Sequence, residues 1–221
     1  MLYIAATPIG NLEDITLRAI RILGEVDLVL AEDTRKTGFL LKHLGIKKDL
    51  ISFYEHNELK KIPQIIEQLK QGKNIALVSS AGTPTISDPG YKLIKACRRE
   101  HLPVTSLPGP SSIINCLALT SLPHDKFAFL GYLPRKPSAR RKLFNKVKEW
   151  EITLVFFESP YRILSSLKVI AEILGNRRIT IGREMTKKFE EALELEVEEA
   201  INHFNQKAPR GEFVLIIGPG L

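Results

Sequence analysis

Residues 74–99 read NIALVSSAGTPTISDPGYKLIKACRR, and this stretch sets the fold class of the chain. Residues 74–79 are a short, mainly apolar run, which is typical of a strand buried on both faces of a parallel sheet. Residues 90–99 form a helical pattern, and a loop rich in Gly, Pro, Ser and Thr joins the two. This order of strand, loop and helix predicts one βα unit of a parallel sheet that helices cover on both faces.

The same alternation continues on both sides of this unit. Further strands are predicted at residues 2–7, 27–31, 50–54 and 103–107, and helices at residues 14–23, 37–44, 63–71 and 110–119. The helix at residues 63–71 ends at Gly72, a natural C-cap. The first half of the chain is therefore predicted to be an α/β domain with a mostly parallel sheet.

Polar residues and a proline interrupt the alternation of strands and helices near residues 120–126. We therefore predict two α/β lobes, at residues 1–120 and 121–221. Strands are predicted at 127–133, 153–157, 178–182 and 213–217, and helical segments at 138–150, 161–174 and 201–204. Residues 191–197 alternate apolar with acidic side chains, which indicates an antiparallel or edge strand with one wet face. The second lobe should therefore have a mixed sheet.

Composition excludes several classes of protein. The 221 residues are 44% hydrophobic and 26% charged, which excludes a disordered chain, a collagen-like fibre and a coiled coil. No apolar run approaches the roughly 20 residues of a membrane span, and the first residues lack the basic region of a signal peptide. Cys97 and Cys116 have no metal-ligand spacing, so we expect reduced thiols in a cytoplasmic protein and no metal site.

The net charge of +7 is concentrated in one segment. Residues 134–148 contain seven basic side chains and no acid, a surplus equal to that of the whole chain. Such a segment is where an anionic partner would dock, the alternative being an ordinary solvated helix face.

The loops that follow the first five predicted strands are unusually polar. They read TPIGN (7–11), EDTR (32–35), EHNE (55–58), SSAGTPTISDPG (79–90) and PGPSS (108–112). Ligands of open α/β sheets bind beyond the carboxyl ends of the strands. Glycine and proline turns bring backbone groups close to a ligand, and hydroxyls orient it. This suits a nucleoside with an amino-acid tail, such as S-adenosylmethionine, whereas no GxGxxG or GK[ST] phosphate loop is present.

Nine motifs together resemble one family. They are TPIGN (7–11), AEDTR (31–35), EHNE (55–58), AGTP with SDPG (81–90), PGPS (108–111), GYLPRK (131–136), FFESPYR (156–162), REMTK (183–187) and GEFV (211–214). In this order they are similar to the tetrapyrrole-methylase-like (class III) methyltransferases, and among these to the bacterial 16S rRNA 2′-O-methyltransferases. The resemblance implies methyl transfer from S-adenosylmethionine to the ribose of cytidine 1402 in the small ribosomal subunit. It also implies a cofactor cleft between the two lobes and a homodimer.

The resemblance also implies the residues of the cofactor site. From the first lobe these are Pro8, Ile9, Gly10, Ser80, Ala81, Gly82, Thr83, Pro84, Asp88, Ser111 and Ser112, and from the second lobe Phe157 and Pro219. Two positions depart from the family pattern. Ser80 stands where Asp is usual, so the donor site is expected to lack that carboxylate, and Tyr161 replaces the usual His, so no mechanism relies on a histidine there.

Five residues are candidates for removing the 2′-hydroxyl proton: Asp33, Glu55, His56, Asp88 and Glu158. A general base typically contributes about 10²–10⁴-fold to rate. Four of them have a structural alternative: Asp33 as a helix cap, His56 as a surface or hydrogen-bonding residue, Asp88 as a turn or cap residue, and Glu158 as the partner of Arg162. Alignment of the reactants without a dedicated base is a further possibility.

The basic side chains are predicted to hold RNA. In the basic segment, the side chains expected to bind phosphates are Arg135, Lys136, Arg140, Arg141 and Lys142. Two further candidates, Arg35 and Arg162, lie near the predicted loops. Two alternatives stay open from sequence, a tetrapyrrole (corrin-precursor) C-methyltransferase and a non-catalytic RNA-binding or ribosome-assembly factor.

Overall fold

The computed structural model describes residues 1–220 and divides into two compact units, Met1–Ser111 and the chain from Ser112 onward. The first unit contains strands and helices in alternation: β1 (Leu2–Ala5), α1 (Leu17–Glu25), β2 (Leu28–Ala31), α2 (Thr34–His43), β3 (Leu50–Ser52), α3 (Glu58–Lys70), β4 (Ile75–Val78), α4 (Tyr91–Arg99) and β5 (Val104–Leu107). A short 3₁₀ helix, Leu12–Asp14, follows the first loop. The predicted α/β class is confirmed.

The sheet of the first unit has the strand order β3-β2-β4-β1-β5, with every pair parallel. Alternate side chains of the central strands face opposite ways because strand side chains alternate. Ala76 and Val78 pack with α1 and α2 on one face, whereas Ile75 and Leu77 pack with α3 and α4 on the other. Burial on both faces explains why these strands are almost wholly apolar.

The second unit is built on a mixed sheet. Its elements are α5 (Ser112–Leu117), β6 (Phe127–Tyr132), α6 (Pro137–Val147), β7 (Thr153–Glu158), α7 (Ile163–Leu174), β8 (Arg178–Arg183), β9 (Glu191–Glu196), α8 (Val197–Gln206) and β10 (Phe213–Ile217). The order is β6-β7-β10-β8-β9, with β6 parallel to β7 and the other pairs antiparallel. The alternating strand β9 lies at the edge, as its pattern predicted.

The division between the units falls before α5 and not after it. Sequence placed a boundary between residues 120 and 121, because the polar residues there break the α/β rhythm. In the structure Ile113, Cys116 and Leu117 of α5 pack against Val214 and Ile216 of β10. Tertiary packing therefore assigns this helix to the second unit, which its own sequence does not reveal.

Helix α3 begins five residues earlier than the pattern suggested. Proline favours helix starts, so sequence placed the beginning at Pro63. The turn before α3 is fixed by Asn57, whose Oδ1 accepts a hydrogen bond from Tyr54 N (2.8 Å), and by Lys61, whose Nζ donates to Ser52 O (2.6 Å). These contacts hold the first turns of α3 despite the internal proline.

Within residues 1–220, no helix is long and apolar enough to cross a membrane, and no group of three or more His, Cys, Asp or Glu side chains could hold a metal ion. Cys97 and Cys116 are free thiols, as the sequence predicted, and both are buried. Burial raises the pKa of Cys97 to about 11 and that of Cys116 to about 12, so both thiols are protonated and unreactive.

Candidate functional site

The loops after β1 and β4 are joined through their backbones. Thr7 N donates to Gly82 O (3.0 Å) and Gly82 N donates to Thr7 O (2.9 Å), which forms an isolated antiparallel bridge. The buried Thr7 hydroxyl also donates to Ser79 O (3.2 Å), and the Ser79 hydroxyl donates to Gly82 O (3.1 Å). The two loops therefore form one rigid unit at the carboxyl edge of the sheet.

Two glycines bring the loop after β5 into the same arrangement. Gly82 has φ +80, and a Cβ there would lie 3.3 Å from Ile9 Cγ2. At Gly109 a Cβ would lie 2.8 Å from the Ala6 Cβ, so the chains can approach this closely only without a side chain. Thr83 Oγ1 then donates to Pro110 O (3.3 Å). Three of the five predicted loops thus touch one another.

Two glutamates connect the remaining two loops. Glu32, after β2, accepts a hydrogen bond from Ser80 N (3.0 Å). Glu58, after β3, is buried, accepts from Gly90 N (3.4 Å) and pairs with Lys92 Nζ (2.8 Å). Both residues belong to the quoted motifs, yet sequence reasoning did not single them out. Their contacts are non-local, so spacing along the chain could not reveal them.

The loop between β4 and α4 is strained. Thr85 and Ser87 adopt φ +74 and +65, a region that side-chain-bearing residues seldom occupy. Such strain is concentrated at functional sites. In the same loop burial raises the pKa of Asp88 from 3.8 to about 6, assisted by the negative charge of Glu32 and opposed by a hydrogen bond with Ser79.

A cavity of about 520 Å³ opens in the first unit beside these loops. One side is formed by Thr7, Pro8, Ser79 and Ser80, and the other by the beginning and outer face of α2. This volume is in the range that small-molecule sites occupy. Its wall therefore includes part of the predicted cofactor loops.

Asp33 is the N-cap of α2. Its side chain accepts hydrogen bonds from Arg35 N (2.9 Å) and Lys36 N (3.4 Å) and forms an ion pair with the Arg35 guanidinium (3.0 Å). These hydrogen bonds from Arg35 lower the pKa of Asp33 to about 2. A carboxylate this acidic is a poor proton acceptor, so the structural alternative describes Asp33 better.

Glu158 is buried inside the second unit. Its carboxylate accepts from Ser159 N (2.8 Å) and from the Ser166 hydroxyl, and it pairs with Arg162 (2.7 Å) and Arg140 (3.9 Å). Because its side chain has no exposed surface, it is held as a structural anion and is not offered to a substrate. The predicted alternative role, neutralising Arg162, is the one these contacts describe.

The basic segment divides into buried and exposed side chains. Arg140 is only 2% exposed and donates to Ser165 (3.0 Å) and Ser166, which corrects its predicted role in binding phosphate. Arg162 donates to Leu133 O (3.1 Å), so it links the ends of β6 and β7 and its side chain is similarly engaged. Burial was invisible in sequence because Arg140 lies within a run of solvated basic residues.

The other predicted side chains of the basic segment are exposed. Arg141 is half-exposed and pairs with Glu172 (2.8 Å), whereas Arg135, Lys136 and Lys142 face solvent. These three remain available to a polyanion.

The other predicted residues lie on the two units as follows. Glu55 and His56 are exposed in the turn before α3, with the His56 ring 6.2 Å from that of Tyr54. Gly10 and Ala81 are exposed, Pro84 is buried, and Ile9, Ser111, Ser112 and Pro219 are partly buried. Phe157 contacts the rings of Phe129 and Tyr132, with centroids 4.9 and 5.2 Å away. The predicted residues of the first unit thus gather at one edge of its sheet.

Comparison with known proteins identifies a family and named relatives that this chain resembles. The family model of the tetrapyrrole (corrin/porphyrin) methylases matches residues 1–201. A relative in Thermotoga maritima, named ribosomal RNA small subunit methyltransferase I, is 50% identical over 216 residues, which cover 98% of this chain and 97% of the relative. A relative of the same name in Escherichia coli O157:H7 is 45% identical and covers 98% of this chain and 77% of its own length.

Solved structures extend the likeness to the fold. The methyltransferase CobJ superposes with a TM-score of 0.72 at 17% identity, covering 99% of this chain and 93% of its own. A uroporphyrin-III C-methyltransferase from Thermus thermophilus gives 0.67 at 20% identity, covering 98% and 93%. The chain therefore belongs to the tetrapyrrole (corrin/porphyrin) methylase family, among the relatives that carry the name ribosomal RNA small subunit methyltransferase I.

Proposed function

We propose that this methyltransferase methylates the ribose 2′-oxygen of cytidine 1402 in the 16S rRNA of the small ribosomal subunit. The observation that carries the proposal is the 50% identity to the Thermotoga maritima relative over nearly the full length of both chains. An rRNA substrate places the enzyme in the bacterial cytoplasm, and we propose that it acts there as a homodimer.

The methyl donor is S-adenosylmethionine, which supplies an activated methyl group when bound. The first unit offers features that suit it. Gly82 leaves open the space that a Cβ would fill beside Ile9, and the cavity wall presents the side chains of Thr7, Pro8 and Ser80. We assign donor binding to the loops after β1, β4 and β5 (residues 7–11, 79–90 and 108–112), which we call the donor loops. Hydroxyl and backbone groups of these loops orient the ligand.

The contacts and burial of the candidate bases support some of them more than others. Asp33 is held as a helix cap with a pKa of about 2, and Glu158 is enclosed by Arg140 and Arg162. Glu55 and His56 stay exposed at the same edge of the sheet as the donor loops. We therefore assign proton removal to the turn that carries Glu55 and His56, with the reactants aligned by the surrounding loops.

The test is methyl transfer from labelled S-adenosylmethionine to 30S subunits purified from a strain that lacks this modification. Tetrapyrrole precursors are assayed in parallel, and the labelled RNA is digested to locate the methyl group. Label on one ribose 2′-oxygen of 16S rRNA is the expected result. Transfer to a tetrapyrrole, or donor binding without transfer to RNA, would overturn the proposal, and absence of donor binding would indicate a non-catalytic factor.

A further inference from the structure

The outer face of α2 combines an exposed aromatic ring with a cluster of basic side chains. Phe39 is 65% exposed, although α2 has a well-formed apolar face in Leu40 and Leu41 that packs into the core. Residues three and four positions away are neighbours on a helix surface. The four such neighbours of Phe39 are Arg35, Lys36, Lys42 and His43, every one of them basic or imidazole-bearing and exposed. We call these five residues the α2 basic face.

The charge around this face is unbalanced. Residues 34–48 contain five Lys and Arg side chains and no Asp or Glu. Arg35 forms an ion pair with Asp33. Among the described residues, no carboxylate forms an ion pair with Lys36, Lys42, Lys47 or Lys48. A second cavity, of about 400 Å³, lies on the same stretch and is lined by Lys42, Lys47 and Lys48. The positive surface therefore extends from α2 into the turn that follows it.

The α2 basic face also opens onto the candidate site. Arg35, Lys36 and Phe39 form one wall of the 520 Å³ cavity, and Pro8 and Ser80 of the donor loops form another. A polymer that lay along α2 would therefore reach the predicted donor loops without leaving the surface of the first unit.

We propose that the α2 basic face binds the single-stranded RNA next to the target nucleotide. Phe39 stacks on an unpaired base, and Lys36 and Lys42 contact flanking phosphates. An aromatic ring set among cations is the arrangement that recognises single-stranded nucleic acid, because every base has a face to stack and every nucleotide a phosphate. This inference rests on the proposed function and identifies part of its substrate site.

The test compares Phe39→Ala and the double variant Lys36→Ala/Lys42→Ala with the unchanged chain. The readouts are binding of a labelled 16S rRNA fragment at several salt concentrations, and KM and kcat for 30S subunits. Loss of the stacked ring in Phe39→Ala should weaken RNA binding about 10-fold, which is about 1.4 kcal/mol, and raise KM with little change in kcat. Each lost phosphate contact should reduce the slope of log K against log salt by about 0.7.

Matched variants control for loss of any aromatic ring or any lysine. Phe189, in the second unit, is 64% exposed, and Lys60 and Lys95 are exposed on α3 and α4. Phe189→Ala and Lys60→Ala/Lys95→Ala should leave both RNA binding and its salt slope unchanged. Circular dichroism and donor affinity verify that each variant is folded.

The outcomes separate this inference from the proposed function. Unchanged RNA binding in the α2 variants, or equal losses in the control variants, would overturn the inference even if the enzyme methylates 30S subunits. A changed molecular mass of Phe39→Ala in the ultracentrifuge would show that the face binds a second copy of the chain, which also overturns it. If 30S subunits are not methylated but the α2 variants still lose RNA affinity, the inference stands and the proposed function fails.

Discussion

At the scale of single residues, Arg140 shows how burial changes the role of a charge. Its guanidinium lies with Glu158 in the interior of the second unit, with side chains 2% and 0% exposed. Burial lowers the pKa of Arg140, opposed by the charge of Glu158, and its Nε has no hydrogen-bond partner among the described residues. Such a group contributes to the fold and leaves RNA contact to its exposed neighbours.

Arg140→Ala should therefore destabilise the protein. The substitution removes the hydrogen bonds that Arg140 donates to Ser165 and Ser166 and weakens the charge balance of Glu158, which keeps only Arg162 as a partner. We expect the free energy of unfolding to fall by about 2 kcal/mol. Lys142→Ala, two residues away and exposed, should change the free energy of unfolding by less than about 0.5 kcal/mol. Urea denaturation measures both. Equal stability of the two variants would show that the Arg140–Glu158 pair is dispensable.

Asp88 makes stability depend on pH. Its pKa is about 6 when folded and 3.8 ordinarily, so the folded state holds the proton more tightly. Its contribution to stability is full below pH 4 and is lost as the pH rises through 6. As the pH rises from 4 to 7, the free energy of unfolding of Asp88→Asn should therefore increase by about 1 kcal/mol relative to that of the unchanged chain. This value is reduced for partial solvent screening. Urea denaturation across that range tests this, and a constant difference would contradict it.

At the scale of elements, the joined loops are the feature that positions the site. The backbone bridge between Thr7 and Gly82 fixes the loops after β1 and β4, and Glu32 and Glu58 fix the ends of the long β4–α4 loop. These contacts hold backbone groups in place before a ligand arrives, which lowers the entropic cost of binding.

Gly82→Ala should disturb this arrangement. A side chain at φ +80 costs about 1 kcal/mol, and the new Cβ would press on Ile9 at 3.3 Å. We expect donor affinity to fall about 10-fold, as measured by calorimetric titration with S-adenosylmethionine. Gly72→Ala is the matched control, because Gly72 has φ +89 with open space around it. It should lose similar stability but keep its donor affinity; equal donor affinity in both variants would contradict this role of Gly82.

At the scale of the whole molecule, the excess of positive over negative charge comes from two stretches of fifteen residues. Residues 34–48 and 134–148 carry five and seven basic side chains without an acid, and the rest of the chain has 20 basic and 25 acidic residues. Sequence reasoning identified the second stretch alone, because the surplus there equals the net charge. The first stretch became apparent when the structure placed Phe39 and its basic neighbours on one exposed helix face.

RNA binding should therefore weaken steeply with salt, while donor binding should not. Arg135→Ala, Lys136→Ala and Lys142→Ala remove exposed charges, and each that contacts a phosphate should reduce the slope of log K against log salt by about 0.7–0.9. Filter binding at 50–300 mM salt measures it. Unchanged slopes would show that residues 134–148 do not touch the RNA.

The sequence by itself determined the α/β class, the order of the strands along the chain and the edge strand β9. These features follow from local periodicity, since a strand buried on both faces must be continuously apolar and an edge strand with one wet face must alternate. The sequence also has polar loops after the first five predicted strands. These loops were expected to lie together, because the carboxyl ends of parallel strands share one edge of the sheet.

Tertiary structure alone decided which of these side chains are free to act. Asp33 and Glu158 were equivalent to Glu55 in sequence, yet one caps a helix and the other is enclosed by two arginines. Arg140 was one basic residue in a row of them until packing buried it. Burial and pairing depend on residues distant in the chain, so no local pattern encodes them, and they determine whether a charge serves the fold or the substrate.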